Sequence, residues 1–140
     1  MENTTVLRGL STISFYAADV EKAAQWYSEF LNIEPYFKVQ GYVEFRLGDY
    51  QHELGIIDSN YAPKNASQNP GGAIAYWHVD DLEKTLEILL SKGATIYEPV
   101  IDRSGGKMAF VTASVIDPFG NILGIMTNTH YLTILDQKNN

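Results

Sequence analysis

The stretch that decides the fold runs from Val43 to Ile57 and reads Val-Glu-Phe-Arg-Leu-Gly-Asp-Tyr-Gln-His-Glu-Leu-Gly-Ile-Ile. Two alternating runs flank Gly48-Asp49, a pattern typical of a β-hairpin with a two-residue loop, which would place Glu44 opposite Glu53. Side chains alternate across a strand, so one face of the hairpin is predicted to be apolar and the other polar. Because unpaired charge is costly to bury, the polar face is predicted to meet water, a ligand or a metal. The polar side chains are Glu44, Arg46, Gln51 and Glu53.

The segments around this hairpin complete a first structural unit. Leu10 to Tyr16 alternates like a strand, and Asp19 is a suitable N-cap for a helix that reaches Leu31. Residues 58–72 are rich in Asn, Ser, Pro and Gly without a hydrophobic period, which predicts a linker. The sequence therefore predicts a β-α-β-β-β unit over about residues 8–57.

The second half of the chain echoes the first. At a shift of 62 residues, Asp19-Val20-Glu21-Lys22 aligns with Asp81-Leu82-Glu83-Lys84, which predicts a second capped helix. Strands predicted at about residues 73–79, 95–102, 107–116 and 121–127 complete a unit over about 73–128, followed by a polar tail at 129–140. We expect a single domain over residues 1–140. The predicted class is α+β, with two βαβββ units whose helices each cover one face of a sheet.

Composition restricts the function. The chain has 140 residues, of which 45% are hydrophobic and 19% charged, as expected of a globular domain. The absence of cysteine excludes disulfides, thiolate metal ligands and thiol nucleophiles. A net charge of -7 disfavours nucleic acid and anionic membranes as partners. The N-terminal segment lacks the pattern of a secretory signal, and no apolar run has transmembrane length, so a cytoplasmic protein without a membrane partner is predicted.

The helices are predicted to cover the apolar sheet faces, which leaves the opposite faces to line a ligand cavity. Tyr16 and Tyr76 would form an aromatic wall of this cavity. The predicted ligand-binding residues are Thr12, Ser14, Tyr16, Glu44, Arg46, Gln51, Glu53, Ile74, Tyr76, His78, Ile122 and Met126.

Several motifs together carry a family resemblance. The repeated helix starts, the Trp26-Tyr27 pair, Val79-Asp80-Asp81 and Asp117-Pro118-Phe119-Gly120-Asn121 resemble the vicinal oxygen chelate superfamily over about residues 8 to 128. This superfamily includes glyoxalase I, extradiol dioxygenases, fosfomycin-inactivating enzymes and bleomycin-binding proteins. The resemblance implies βαβββ units, each a curled mixed sheet with a helix on its convex face, that pair within one chain or between subunits. A homodimer is predicted, and the sequence leaves open which of the two pairings occurs.

The resemblance also bears on metal binding. Metal-using members carry four ligands on the first and last strands of the two units, and the corresponding positions here hold Thr12, Glu53, Ile74 and Gly124. Only Glu53 is a good metal ligand, whereas a stable site needs about three to six nitrogen or oxygen donors. The chain therefore resembles the metal-free, bleomycin-resistance branch, and we predict neither a metal nor another cofactor.

Three polar residues have competing interpretations. His52 and Glu53 are neighbours on one strand and point to opposite faces, so they cannot share an ion without a bulge, and His52 is predicted to be a packed core histidine. Glu53 is either a catalytic base or a structural partner of Arg46. His78 is either an acid-base or ligand-binding group, or a histidine that caps a helix at the rim.

The leading hypothesis is a metal-independent protein that sequesters an aromatic or cationic small molecule. The alternative is a lyase, isomerase or dioxygenase of the same superfamily that uses Glu53 as metal ligand or general base, and the sequence leaves open whether the protein is an enzyme. A third interpretation is a structural or protein-interaction module.

Overall fold

The computed structural model describes residues 5–140, and these separate into two compact units with the boundary between Tyr61 and Ala62. Residues 1–4, which contribute to the prediction of a cytoplasmic location, lie outside the described residues. Unit one contains strand β1 (Thr12–Ala17), helix α1 (Val20–Leu31), strands β2 (Phe37–Val39), β3 (Tyr42–Leu47) and β4 (His52–Asp58), and a 3-10 turn at Ser59–Tyr61. Unit two contains β5 (Tyr76–His78), α2 (Leu82–Ser91), β6 (Thr95–Asp102), β7 (Phe110–Ile116), β8 (Ile122–Asn128) and α3 (Thr129–Asn139).

The two units share one topology. The strand orders are β1-β4-β3-β2 in unit one and β5-β8-β7-β6 in unit two. In each sheet the first strand runs parallel to the last, and the remaining neighbours are antiparallel. The predicted fold class, α+β with two βαβββ units, is therefore confirmed.

Both crossover helices begin in the same way. The Asp19 carboxylate accepts a hydrogen bond from the backbone N–H of Lys22 at 3.1 Å, and the Asp81 carboxylate accepts one from that of Lys84, also at 3.1 Å. Each bond satisfies an N–H that has no partner within the helix. The predicted N-caps are thus confirmed, and the helix that follows the first strand of each unit begins with the same capping hydrogen bond.

Each unit has its own core between its crossover helix and one sheet face. In unit one, α1 packs on β1, β3 and β4, as alternation along the strands predicted. The buried residues there are Phe15, Ala17, Ala23, Ala24, Tyr27, Val43, Phe45, Leu54 and Ile56. In unit two, α2 packs on β6, β7 and β8, and the core contains Leu82, Leu86, Leu89, Val111, Ala113, Val115, Leu123 and Ile125.

The predicted register of the β3-β4 hairpin was wrong. The loop has four residues, 48–51, and Gln51 has a φ of 56°, with its N–H donating to the carbonyl of Gly48 at 3.3 Å. As a result Arg46 lies opposite Glu53, and Glu44 lies opposite Gly55. The shift amounts to two residues, so every strand residue keeps its predicted face, because side chains alternate with a period of two.

Residues 129–139 form helix α3, although the sequence analysis predicted only a polar tail. Asn128 caps the helix by accepting the backbone N–H of His130 at 2.9 Å. The Tyr131 ring stacks on His78, with ring centroids 4.8 Å apart and planes at 7°. Helix α3 is thereby attached to the sheet of unit two. Across residues 5–140, the helices are too short or too polar to span a bilayer.

Candidate functional site

The face of the unit-one sheet that points away from α1, here called the polar face, gathers the charged residues of the hairpin. Pairing of β1 with β4 places Thr12 beside Glu53, and pairing of β3 with β4 places Glu53 beside Arg46. Glu44 lies two residues from Arg46 on the same strand and therefore on the same face. Four of the predicted ligand-binding residues thus lie together.

Glu53 is the accessible carboxylate of this face. One of its oxygens, Oε1, accepts a hydrogen bond from the Thr12 hydroxyl at 2.6 Å. The other, Oε2, lies 3.7 Å from Nη2 of Arg46, which is an ion pair beyond hydrogen-bonding distance. The side chain is 31% exposed, so a ligand can reach Oε2.

Glu44 is held by two donors and is more buried. The Tyr42 hydroxyl donates to Oε1 at 3.0 Å, and Nε of Arg46 donates to Oε2 at 3.2 Å. Its side chain is only 12% exposed. Glu44, Arg46 and Glu53 together carry two negative charges and one positive charge, so the cluster has a formal charge of about -1 at neutral pH.

Tyr42 is kept in its protonated, donating form. Burial, then the hydrogen bond to Glu44 and the charges of Glu44 and Glu53, raise the pKa of Tyr42 to about 12. An ionised phenol beside two carboxylates would add a third negative charge and lose the hydrogen bond. At neutral pH the Tyr42 hydroxyl is therefore a fixed donor to Glu44.

Aromatic side chains border the charged cluster at the edge of the sheet. The guanidinium carbon of Arg46 lies 3.6 Å from the centroid of the Tyr36 ring, which is a cation-π contact. The Phe37 ring lies 6.4 Å from that of Tyr42. Tyr36 is 64% exposed and Phe37 48%, so these rings can accept an apolar ligand.

The sequence analysis missed Tyr36, Phe37 and Tyr42. Tyr42 precedes Glu44 by two residues, so strand alternation alone was sufficient to place it on the polar face. Phe37 lies on a strand of only three residues, where no alternation can be recognised, and Tyr36 is outside the regular strands.

The remaining unit-one predictions have mixed outcomes. Ser14 and Tyr16 lie on the polar face beside Gly55 and Ile57, with Ser14 exposed and Tyr16 half-buried. Gln51 is an exposed loop residue, so its predicted place on the face was wrong, because the four-residue loop removes it from the strand. His52 is half-buried opposite Leu47 on the helix-covered face, with its ring 5.9 Å from that of Tyr50.

An open cavity of about 590 Å³ adjoins Glu53. Its lining combines the segment that precedes β1 with the end of the hairpin loop. The lining residues are Arg8, Gly9, Leu10, Ser11, Tyr50, Gln51, His52 and Glu53. A second open groove of about 620 Å³ runs beside α1, where Lys38 and Glu21 form an exposed ion pair at 2.8 Å. The groove beside α1 has the solvated charges of an ordinary surface, so the cavity beside Glu53 is the better candidate site.

Unit two has different chemistry at the equivalent positions. In unit one, Glu44 pairs with Gly55 and Arg46 pairs with Glu53. At the corresponding positions of unit two, Ser114 pairs with Gly124 and Ile116 pairs with Ile122. The predicted ligand-binding residues Ile122 and Met126 are 8% and 7% exposed, Tyr76 lies opposite Gly124, and Ile74 precedes β5. The charged cluster therefore has no counterpart at these positions of unit two.

His78 has a geometry that favours the structural interpretation. Its Nδ1 accepts the backbone N–H of Asn128 at 3.2 Å, and its ring stacks on Tyr131. Nε2 lies 3.8 Å from Oδ1 of Asp80, and the side chain is 8% exposed. His78 thus holds the start of α3 against the sheet.

The residues present do not fit a metal site. The strand registers place Ile122, rather than Gly124, at the position that corresponds to Glu53, and neither side chain offers a donor. Glu53 itself is engaged by Thr12 and lies beside the positive charge of Arg46. Within residues 5–140, no three His, Asp or Glu side chains are grouped as a metal site requires.

Comparison with known proteins identifies the family. The profile described as Glyoxalase/Bleomycin resistance protein/Dioxygenase superfamily matches residues 9–125. The chain belongs to this superfamily. The resemblance noted in the sequence is therefore confirmed, and the matched range covers the two βαβββ units except the last three residues of β8. A search of curated proteins finds no match.

Several solved structures have the same fold. A glyoxalase-related enzyme from Fulvimarina pelagi aligns with a TM-score of 0.69 and 19% identity, covering 88% of this chain and 90% of that one. A glyoxalase/bleomycin resistance protein from Catenulispora acidiphila aligns with a TM-score of 0.58 and 21% identity, covering 85% and 98%. A hypothetical protein from S. aureus aligns at 0.66 and 17%, covering 88% and 95%. At these identities the likeness establishes the fold alone.

Proposed function

We propose that this superfamily member binds a small aromatic cation on the polar face of unit one, without a metal. The observation that carries the proposal is the half-exposed Glu53, whose Oε2 makes only a 3.7 Å contact in a cluster of formal charge about -1. A ligand N–H cation can form a charge-assisted hydrogen bond there. Its aromatic part can pack on the exposed rings of Tyr36 and Phe37.

Calorimetry with matched probes tests this proposal. We expect 2-phenylethylammonium to bind, and expect benzyl alcohol and benzoate to bind at least tenfold more weakly, because they lack the positive charge. In Glu53→Gln the affinity for 2-phenylethylammonium should fall about tenfold to a hundredfold, the range of a lost charged hydrogen bond. A chelator should leave the affinity unchanged.

Glu98→Gln is the matched control. Glu98 is also a half-exposed glutamate with a loose arginine contact, since its Oε2 lies 3.8 Å from Nη2 of Arg103, but it belongs to unit two. This variant makes the same charge change and should retain the affinity of the unchanged protein. Equal losses in both variants would show that net charge alone attracts the probe, and would contradict the assigned site.

A second candidate function, an enzyme with Glu53 as general base, is favoured by the 2.6 Å hydrogen bond from Thr12. This bond fixes the orientation of the Glu53 carboxylate, as proton transfer requires. The carboxylate would remove a proton from the carbon between the amine and the carbonyl of a bound amino ketone, and a solvent proton would later replace it.

Deuterium exchange separates this enzyme from a binding protein. If Glu53 is a base, the protein should accelerate the incorporation of solvent deuterium at the α-carbon of 2-aminoacetophenone, as followed by NMR, and Glu53→Gln should abolish the acceleration. Exchange at the uncatalysed rate, although the probe binds, would leave sequestration as the function.

Assembly and location are part of the same proposal. We propose a homodimer, as the resemblance suggests, and a cytoplasmic location, as the N-terminal sequence suggests. Sedimentation velocity tests the dimer through a mass of about twice the 15.7 kDa of the chain. A mass of a single chain at all concentrations would contradict the dimer.

A further inference from the structure

We infer that Gly55 is a positioning residue of the polar face: its missing side chain lets the Tyr42 ring lie across the sheet and hold Glu44, and through Glu44 also Arg46. This inference rests on the proposed function where it concerns the ligand. The geometry of the relay from Gly55 to Tyr42, Glu44 and Arg46 is independent of any ligand.

The space at Gly55 is filled by Tyr42. A Cβ at residue 55 would lie 2.8 Å from both Cε1 and the hydroxyl oxygen of Tyr42, closer than non-bonded atoms approach. Gly55 does not have the positive φ that favours glycine, so its backbone conformation is open to other residues. What requires glycine here is the ring above it.

The contact with Gly55 sets the position of the hydroxyl that orients Glu44. The Tyr42 hydroxyl donates to Oε1 of Glu44 at 3.0 Å, while Oε2 of the same carboxylate accepts Nε of Arg46 at 3.2 Å. A ring lifted by an added methyl group would withdraw the first donor. Glu44 would then be free to rotate, and the guanidinium of Arg46 would lose its fixed place beside Glu53.

This arrangement determines which ligand charge the face accepts. Both oxygens of Glu44 are engaged by protein donors, whereas Oε2 of Glu53 makes only the long contact with Arg46. One carboxylate oxygen is therefore offered to the ligand, which suits a single N–H cation. A second ammonium group on the ligand should add less than about threefold to the affinity, because its exposed charge is screened by solvent.

Unit two provides the internal contrast. Gly124 occupies the equivalent register position, but its Cβ would meet the carbonyl oxygen of Ala75 at 2.7 Å, together with side-chain atoms of Tyr76 and Ile74. The carbonyl oxygen belongs to the backbone and cannot swing away as the end of a tyrosine can. Glycine is thus required for strand packing at residue 124, and for the orientation of a polar cluster at residue 55.

The test combines Gly55→Ala with an observation of Tyr42 itself. Tyrosine ring carbons labelled with 13C report the ionisation of each phenol by NMR, and Tyr42→Phe identifies the signal. We expect the pKa of Tyr42, about 12 in the unchanged protein, to fall towards 10 in Gly55→Ala and in Glu44→Gln. Gly71→Ala is the control, because a Cβ there meets nothing within 4 Å and the backbone has no positive φ.

Binding of 2-phenylethylammonium forms the second part of the test. Gly55→Ala should weaken the affinity about tenfold, as should Tyr42→Phe, and the double variant should show no further loss, because both changes break the same chain of contacts. Additive losses would mean that Gly55 acts on the ligand directly, and an unchanged affinity in Tyr42→Phe would show that the hydroxyl positions nothing. Either result would overturn the inference.

The two proposals fail in distinguishable ways. If the probe does not bind the unchanged protein but Gly55→Ala still lowers the pKa of Tyr42, the proposed function fails and the positioning role of Gly55 stands. If the probe binds but the pKa of Tyr42 is the same in Gly55→Ala and Gly71→Ala, the positioning role is refuted and the binding site stands.

Discussion

Units one and two have the same backbone plan but different chemistry on the sheet face away from the crossover helix. Strand order, N-cap geometry and the glycine on the last strand are common to both. Where unit one has Glu44, Arg46 and Glu53, unit two has Ser114, Ile116 and Ile122. The two units therefore share a backbone scaffold, and a few strand positions on the face away from the helix decide whether that face carries the charged cluster.

The same faces also differ in exposure. Glu44 and Glu53 of unit one are partly exposed, whereas Ser114 and Ile122, at the corresponding positions of unit two, are buried. Unit two in addition has helix α3, which Tyr131 attaches to His78. Under the proposed function unit one is the binding unit, whereas the positions of unit two that correspond to Glu44 and Glu53 are buried.

The largest expected effect concerns the paired glycines. Gly124→Ala should destabilise the protein by about 1–3 kcal/mol, since the new methyl group is forced against the carbonyl of Ala75. Gly55→Ala should cost less than about 1 kcal/mol, because only the end of the Tyr42 ring has to move. Urea unfolding midpoints of the two variants measure this difference. Equal midpoints would contradict the claim that the backbone contact at residue 124 is harder to relieve than the side-chain contact at residue 55.

A smaller effect is expected at His78. His78→Phe retains an aromatic ring for Tyr131 but leaves the N–H of Asn128 without its side-chain acceptor, at a cost of about 1 kcal/mol. Amide hydrogen exchange should accelerate in residues 129–139 and remain unchanged in α1. Unchanged exchange in α3 would show that His78 does not hold this helix.

Ser114→Ala should change stability very little. Ser114 is fully buried, and among residues 5–140 its hydroxyl oxygen finds no hydrogen-bond partner. Removing a buried polar atom that has no partner should leave stability within about 0.5 kcal/mol or raise it slightly. A large loss of stability measured by urea unfolding would mean that the Ser114 hydroxyl makes a stabilising contact. It would contradict the description of Ser114 as a buried position without a polar role.

A dependence of stability on alkaline pH belongs to unit one. The pKa of Tyr42 is raised to about 12 in the folded protein, so the folded state holds this proton more tightly than the unfolded state. The resulting stabilisation is fully present below about pH 10 and is lost as the pH rises through 12. Tyr42→Phe should lose less stability than the unchanged protein between pH 10 and 12, as measured by chemical unfolding. Parallel losses would contradict the raised pKa.

The fold was predictable because its signals are local and repeated. Alternation over residues 43–57 placed Phe45 and Leu54 on the helix-covered face, and the Asp19 and Asp81 caps defined both helix starts. The hairpin register was not predictable, because a four-residue loop with Gln51 at positive φ replaces the shorter loop that Gly48-Asp49 favours. The face of each strand residue was still predicted correctly, because the register error was an even number of residues.

The candidate site was predictable only in part. Glu44, Arg46 and Glu53 followed from alternation, but the sequence suggested that the two carboxylates face each other, whereas the structure places Arg46 opposite Glu53. The cation-π contact of Tyr36 with Arg46 depends on the path of the irregular segment between α1 and β2, and hydrophobic periodicity does not predict that path. Helix α3 was missed because its apolar residues are few and its attachment depends on contacts with residues distant in sequence, such as His78.

The most direct test of the central claim is an NMR titration of the 15N-labelled protein with 2-phenylethylammonium. The account predicts that amide shifts change along the Thr12, Arg46 and Glu53 segments of unit one, and that the changes disappear in Glu53→Gln. Amides of Tyr76, Ile122 and Met126 in unit two should stay unchanged. Shifts confined to unit two, or shifts that persist in Glu53→Gln, would contradict the assignment of ligand binding to the polar face of unit one.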